Sequence, residues 1–379
     1  MKKLLDLQEI ASRLKTVDIM IMELVLKRME LAGQVADFKR QSGEPIFRAA
    51  IEDSRINEVR DWATRHGLNP HFAETIEYLL INESCKLQMI QLQTIHNGLD
   101  SIVDEEERYG ALKQNLLVLT ERWSDTYDTK YDDYVGTKAH LQFEHSLISE
   151  MITDLPDQSL LLDVGCATGK VALKYAHIFD KVLGFDLSEP MIKKARSSAE
   201  LLGVQESVCF EVCDLENGIP VSDETASLLV MNLGTASDVR NISFIVSESL
   251  RTLKPGARFL FSFYNRDALM NRWDIIPWST GLAASVNIYK DTLDVHLLNK
   301  QNMEEVLSIY ARAYSVSEVE QIFAQHNVDI EIVTHPTMSS ILPNELLCGQ
   351  EAAQELITST DLSLLNSGFG AYIIVTGKK

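Results

Sequence analysis

Residues 160–169 read Leu160-Leu-Leu-Asp-Val-Gly-Cys-Ala-Thr-Gly169, and this stretch decides the fold. The aliphatic start reads as a buried parallel strand. An acid and two glycines then turn the chain toward a helix. An open α/β sheet builds its ligand floor in this way, at the carboxyl end of its first strand. Gly165 and Gly169 let the backbone approach a ligand with no Cβ in between. As a dinucleotide fingerprint the stretch fails, because the three glycine positions fall on Gly165, Ala167 and Lys170. As a Walker loop it fails too: only three residues separate Gly165 from Gly169, and Lys170 is followed by Val171.

The flanking sequence continues the pattern. Lys181–Asp186 is a second strand ending in an acid, where this architecture grips ribose hydroxyls. Ser188 caps a helix with Pro190 in its first turn and Met191, Ile192 and Ala195 on one side. Val208–Val212 reads as a third strand, followed by Cys213-Asp214-Leu215, and Ser227–Asn232 as a fourth. Leu253-Lys-Pro-Gly256 is a turn before a fifth strand, Arg258–Phe263. Val328–Thr334 and Ala371–Thr376 supply the last two strands. Residues 264–314 are too long for an ordinary loop. The partial alternation of Val286, Ile288, Leu293, Val295 and Leu297 reads as an inserted lid or small β extension over a substrate pocket. Ser315 and Glu318 form a capping box for the next helix.

Over roughly residues 120–379 these signals resemble the class I S-adenosylmethionine (SAM) methyltransferases, whose first motif is D-x-G-x-G-x-G; here Ala167 stands at the middle glycine. The resemblance implies a seven-stranded Rossmann-like sheet with an antiparallel last strand, and SAM as cofactor. It places cofactor contacts at Asp163, Gly165, Cys166, Ala167, Gly169, Asp186, Leu187, Asp214, Leu215 and Asn232, with Asp214 at the adenine amino group. Taken singly, Asp186 and Asp214 would also suit loop acids or helix caps, and Asp163 suits orienting the glycine loop. Residues 123–134, WSDTYDTKYDDY, match the segment that closes over SAM in this class. Tyr127, Tyr131 or Tyr134 could meet the sulfonium through cation–π attraction, or pack the helix on the sheet. An acceptor hydroxyl, amine or enol can require a base. Tyr127, His140, Tyr264 and His296 are the candidates.

The amino-terminal part is different. Positions 7, 10, 14, 17, 21, 24, 28, 31, 35 and 38 alternate spacings of three and four and are apolar except for Arg28, which gives a long helix with a coiled-coil-like seam. Arg28 in that seam is costly unless paired, and Lys39 returns to nearly the same face. Two such cations suit an anionic ligand, an internal ion pair, or an Arg reaching out to water. A second helix carries Glu52, and a third carries Ser84 and Gln88 one turn apart. Residues 4–93 resemble the all-helical chorismate mutases in the string LVLKRMELAGQVADFK, in Pro45-Ile46, and in NESCKLQ. The resemblance implies an intertwined homodimer and a dicarboxylate pocket of Arg28, Lys39, Glu52, Ser84 and Gln88, with Arg48, one turn before Glu52, as a partial stand-in for a family arginine. Two family arginines are replaced, by Ala11 and Ile51. The site is therefore altered: still a mutase, a binder of a related acid, or a dimerising module.

Domain limits follow at 1–95 for the helical module, 96–122 for a connecting helix and 123–379 for the α/β module, with 264–314 as its insertion. The net charge is −20, yet residues 1–95 carry 13 Lys and Arg against 14 Asp and Glu. Nearly all the excess acid lies in the α/β module, which argues against nucleic acid as substrate and for a small molecule. The five cysteines show neither disulfide nor zinc spacing, so a reducing cytoplasm and no metal are expected. No long apolar stretch suggests a membrane span. Three functions fit: methyl transfer to a small molecule such as an aromatic-pathway acid, a bifunctional mutase–methyltransferase, or a protein that cyclises, cleaves or senses SAM.

Overall fold

A computed structural model describes residues 7–42, 49–92, 99, 102–132, 135–272, 283–287, 290–298, 304–342, 347 and 349–379. The chain divides into two compact units, residues 1–98 with 296–306, and residues 99–295 with 307–379. Among the described residues no helix is long and apolar enough to cross a membrane.

The first unit is built on three helices, α1 (Leu7–Ser42), α2 (Ala49–His66) and α3 (Pro70–Leu92). Helix α3 packs against both others. The contact is made by small and aliphatic side chains, Ala32, Ala36, Ile56, Ala63, Ala73 and Ile81, all buried. The expected seam of α1 exists, but its first half is bare within one chain. Leu7 is 81% exposed, Leu14 59% and Leu24 67%. Only from Val25 onward do side chains of α1 begin to bury, because α3 covers only that end.

The second unit begins with α4 (Glu105–Trp123), α5 (Tyr127–Asp132) and α6 (Val135–Thr153). Asp104 caps α4 by accepting the Glu107 N–H at 2.9 Å. The sheet core then alternates strands and helices: β1 (Leu160–Val164), α7 (Lys170–Tyr175), β2 (Lys181–Asp186), α8 (Glu189–Leu202), β3 (Val208–Val212), β4 (Ala226–Met231), α9 (Ile242–Thr252) and β5 (Leu253–Tyr264). After a short α10 (Leu269–Arg272) come β6 (Ala283–Asn287), β7 (Thr292–Leu298) and β8 (Glu304–Tyr310), then α11 (Val316–Ala324), β9 (Asp329–His335), α12 (Glu351–Ser363) and β10 (Tyr372–Lys378). The seven-stranded sheet runs β3-β2-β1-β4-β5-β10-β9. Strands β1 to β5 are parallel, and β10 is antiparallel to both β5 and β9.

Both faces of this sheet are covered, which is why its strands read as nearly continuous aliphatic runs. Leu160, Leu162 and Val164 join Phe259, Phe261 and Phe263 on one face, under Ile245 and Val246 of α9 and Phe323 of α11. Leu161, Val182 and Val230 face the other way, against Ile148 of α6, Ala172 of α7 and Ile192 of α8. Two features differ from the sequence expectation. The fifth strand starts at Leu253, with a register shift against β4 where Lys254-Pro-Gly256 bulges out. The insertion holds the expected small β extension, a three-stranded sheet β6-β7-β8, but its third strand has no alternation strong enough to reveal it.

One buried carboxylate ties the carboxyl-terminal elements together. Asp361 of α12 has no solvent exposure. It accepts the backbone N–H groups of Thr337, Met338 and Ser339 and the Ser339 hydroxyl, the last at 2.6 Å. The Ser339 carbonyl lies so close to Gly136 that a Cβ there would sit 2.8 Å from it, so the loop leaves no room for a side chain on α6. Asp361→Ala strands several buried donors at once, and we expect a loss of about 3 kcal/mol or more, read from urea denaturation of the full chain.

Candidate functional site

The carboxyl ends of β1 to β5 open into one pocket of the second unit. Its floor is the turn after β1, where Gly165, Ala167 and Gly169 have φ of +76°, +45° and +80°. The turn is held from two sides. Gly165 N–H and Cys166 N–H both donate to the Phe185 carbonyl, at 2.7 and 2.9 Å. Asp163, buried at the end of β1, accepts the Ala172 N–H of α7 at 2.9 Å. Burial pushes the Asp163 carboxyl up to about 7, against the pull of that hydrogen bond. A side chain at Gly165 has no space, since a Cβ would lie 2.2 Å from the Thr235 methyl.

Asp186 ends β2 beside this floor. Its carboxylate accepts Ala167 N–H at 2.9 Å and Ser188 N–H at 2.8 Å, so it joins the glycine turn to the cap of α8. Burial raises its pKa, and those two bonds oppose the rise. Gly165, Cys166, Ala167, Asp186, Leu187, Asp214, Leu215 and Asn232 all line the pocket. Asp163 and Gly169 stand behind it as supports: Gly169 takes the left-handed N-cap position of α7. Cys166 is buried, and burial with the nearby Asp163 and Asp186 raises its thiol well above the ordinary range.

The roof is α4, which the sequence presents only as a connecting helix. It packs as part of the second unit, with Leu112, Leu116 and Leu117 in the pocket wall. Polar ties hold it at its rim. Lys113 pairs with Asp214, which also caps the turn at 215–217. Tyr109 donates to Glu216 at 3.1 Å, and Arg240 makes two bonds to Glu106, at 2.8 and 3.1 Å. On its other flank Asn115 donates to the Ser308 carbonyl of β8 at 2.8 Å. Leu293, Ile309 and Tyr310 of the inserted sheet complete the wall.

Of the catalytic candidates, Tyr127 and Tyr264 line the pocket. His140 does not. It is fully buried, stacked on Tyr372 with ring centroids 3.8 Å apart, and its Nε2 lies 3.1 Å from Glu144 Oε1. Glu144 in turn accepts the Leu233 N–H through both oxygens, at 3.2 Å, and so holds the loop after β4. The side chain of His296, that of Tyr131 and all of Tyr134 lie outside the described residues. The sequence reading missed Lys113, Tyr310 and Asp238 as pocket residues. Lys113 lies at the edge of the apolar side of α4, next to Leu116 and Leu117, which was a usable signal. Asp238 had none beyond following β4.

A second cluster sits in the helical unit. Arg28 donates to the Ser84 hydroxyl and the Leu80 carbonyl and pairs with Glu77 at 3.3 Å. Lys39, Glu52, Ser84 and Gln88 are buried close by, while Arg48 lies outside the described residues. Arg55, not anticipated, bridges Glu52 at 3.3 Å and Glu77 at 3.7 Å. Both guanidinium groups are therefore already matched by carboxylates. Cys85 sits among them, its thiol raised by burial to about 12. Among the described residues no group of His, Cys, Asp and Glu could hold a metal ion.

Residues 10–89 match the family described as chorismate mutase type II, and residues 161–256 match a methyltransferase domain. Demethylmenaquinone methyltransferase of Leptospira interrogans is 26% identical over 153 residues, 40% of this chain and 59% of that protein. Ubiquinone biosynthesis O-methyltransferase of Idiomarina loihiensis is 30% identical over 129 residues, 34% of this chain and 49% of the relative. The chain thus spans about three fifths or less of these relatives. Geranyl diphosphate C-methyltransferase from Streptomyces coelicolor A3(2) aligns with 62% of this chain and 78% of its own, at 15% identity and a TM-score of 0.40.

Two outcomes follow from this geometry. Asp186→Ala should weaken SAM binding by roughly tenfold or more, because a charged hydrogen-bond partner is lost and the glycine turn loosens; titration calorimetry reads it. Burial, with the neighbouring His140, holds His335 down to about 3, and burial holds His145 down to about 4. The unfolded chain takes up protons on these rings near pH 6.5 that the folded chain refuses. Stability is then full above about pH 6.5 and falls as pH drops toward 4. Urea midpoints at pH 7.5 and 5 test this, and His335→Gln should flatten the dependence.

Proposed function

We propose that the second unit transfers a methyl group from SAM to a small-molecule acceptor and that the helical unit pairs two copies of the chain. The observation that carries the first part is Asp186 hydrogen-bonded to the glycine turn at the mouth of β1 and β2, within the stretch that matches a methyltransferase domain. The residues present fit the cofactor. The turn at 165–167 is a left-handed cradle with no Cβ at Gly165, where the Thr235 methyl packs close; on this reading Asp186 grips the ribose hydroxyls and Asp214 and Leu215 flank the adenine. Bound SAM supplies an electrophilic methyl group. The chain aligns an acceptor for in-line attack and excludes water with the aliphatic face of α4. Tyr264, Leu293, Ile309 and Tyr310 wall the side beyond β4, which suits an apolar or aromatic acceptor body. We favour an aromatic-pathway acid because of the mutase-like module at 10–89.

In the helical unit, Arg28 and Arg55 are each taken by an internal carboxylate. A dicarboxylate would have to displace Glu77 and Glu52 to reach them, so we read the site as non-catalytic. The bare half of the α1 seam suits the same helix of a second chain. A reducing cytoplasm fits the free thiols.

Incubation with SAM and a panel of prephenate, phenylpyruvate and a demethylated quinol should give a methylated product with S-adenosylhomocysteine. Methylthioadenosine in its place would mean that SAM itself is cleaved. Chorismate without SAM should remain unchanged; prephenate would instead make the protein bifunctional. Light scattering should give twice the chain mass, and Leu14→Glu with Leu24→Glu should halve it.

A further inference from the structure

Four aspartates stand in or directly behind the pocket wall at the ends of β1 to β4, and three of them have partners. Asp163 takes the Ala172 N–H, Asp186 takes two backbone N–H groups, and Asp214 pairs with Lys113. Asp238 is the exception. It follows the single turn Thr235–Ser237 after β4, and it lines the pocket. Its Oδ1 is shut off from solvent and has no hydrogen-bond partner. Burial, with the charge of Asp186 adding to it, raises this carboxyl well above the usual range. Asp238 as a whole is half-buried and opens into the pocket, and a carboxylate with one oxygen buried and no donor favours the protonated acid or a nearby cation.

Given the SAM reading above, we infer that Asp238 is the counter-ion of the positive charge that SAM brings into this pocket. It gives up a proton when the sulfonium arrives. It takes a proton back, from the acceptor, when the methyl leaves. In that step the acceptor's X–H proton passes to Asp238. The electron pair of that bond forms the new bond to the methyl carbon, and the pair of the breaking C–S bond stays on sulfur. Carboxylate plus sulfonium become carboxylic acid plus neutral thioether, so the charge of the pocket is the same before and after. No further reactant is needed. The product cofactor no longer has the charge that Asp238 holds, and its release is eased.

Other groups face the same space. Asp186, Asp214 and Glu216 come from the ends of β2 and β3, and Lys170 from the start of α7. Tyr109 and Lys113 come from α4, Tyr264 from β5 and Tyr310 from β8. Arg240, two residues on from Asp238, is turned to Glu106. Asp163, raised by burial to about 7, is the rival source of a proton.

The test uses the full chain at pH 7 and two ligands that differ in the sulfonium alone. SAM and S-adenosylhomocysteine are titrated by calorimetry in buffers of different ionisation enthalpy. SAM should release about one proton per molecule bound, and S-adenosylhomocysteine should release none. Asp238→Asn should abolish the release and weaken SAM by roughly tenfold, with S-adenosylhomocysteine affinity unchanged; Asp163→Asn should keep the release. Equal proton counts for the two ligands on the unaltered protein would overturn the inference, whether or not the variant folds. Release that persists in Asp238→Asn would overturn it as well. Binding of neither ligand would instead sink the SAM reading itself.

Discussion

The pocket hangs on the bond between the Asp163 carboxylate and the Ala172 N–H, both sealed from solvent. It draws the first turn of α7 down against the end of β1. The residues between them must then loop outward through three left-handed conformations. That loop presents its N–H groups sideways, and the Phe185 carbonyl takes two of them. The same contact fixes the end of β2, so the position of Asp186 follows from the turn and needs no separate scaffold. A buried acid that is half satisfied is ordinarily a liability. Here it sets where a ligand can rest.

The α/β architecture was legible because its physics is local. Strands covered on both faces become aliphatic throughout, and helices cap where Ser188 and Ser315 say they should. The wall residues 165–167, 186–187, 214–215 and 232 were legible for the same reason, since each follows directly on a strand end. The roof was not. Leu112, Leu116 and Leu119 reveal that α4 is a helix with one apolar side, but no periodicity tells what lies under it. Lys113 meets Asp214 across 101 residues of chain. His140 shows the opposite limit: its chemistry suggested a base, and only burial against Tyr372 removes it from the pocket. Nothing in a sequence announces a carboxylate without a partner, so Asp238 went unseen.

The two clusters handle charge in opposite ways. In the helical unit, cations that would suit an anionic guest are matched internally by Glu52 and Glu77. Such matching makes Arg28 tolerable in an apolar seam. In the α/β unit one acid is left unmatched at the wall. The first arrangement is internally matched, and the second leaves one carboxylate oxygen without a donor.

Cys166 lies in the floor of that wall with its thiol held far from ionisation by burial and by two acids. A thiolate is among the best nucleophiles a protein has, and a thiol is a poor one. A methyl donor resting on this turn would lie close to a sulfur that could, if ionised, take the methyl for itself. Burial, with the acids that shape the floor adding to it, keeps Cys166 protonated, and on the proposed reading this spares the protein from alkylation by its own methyl donor.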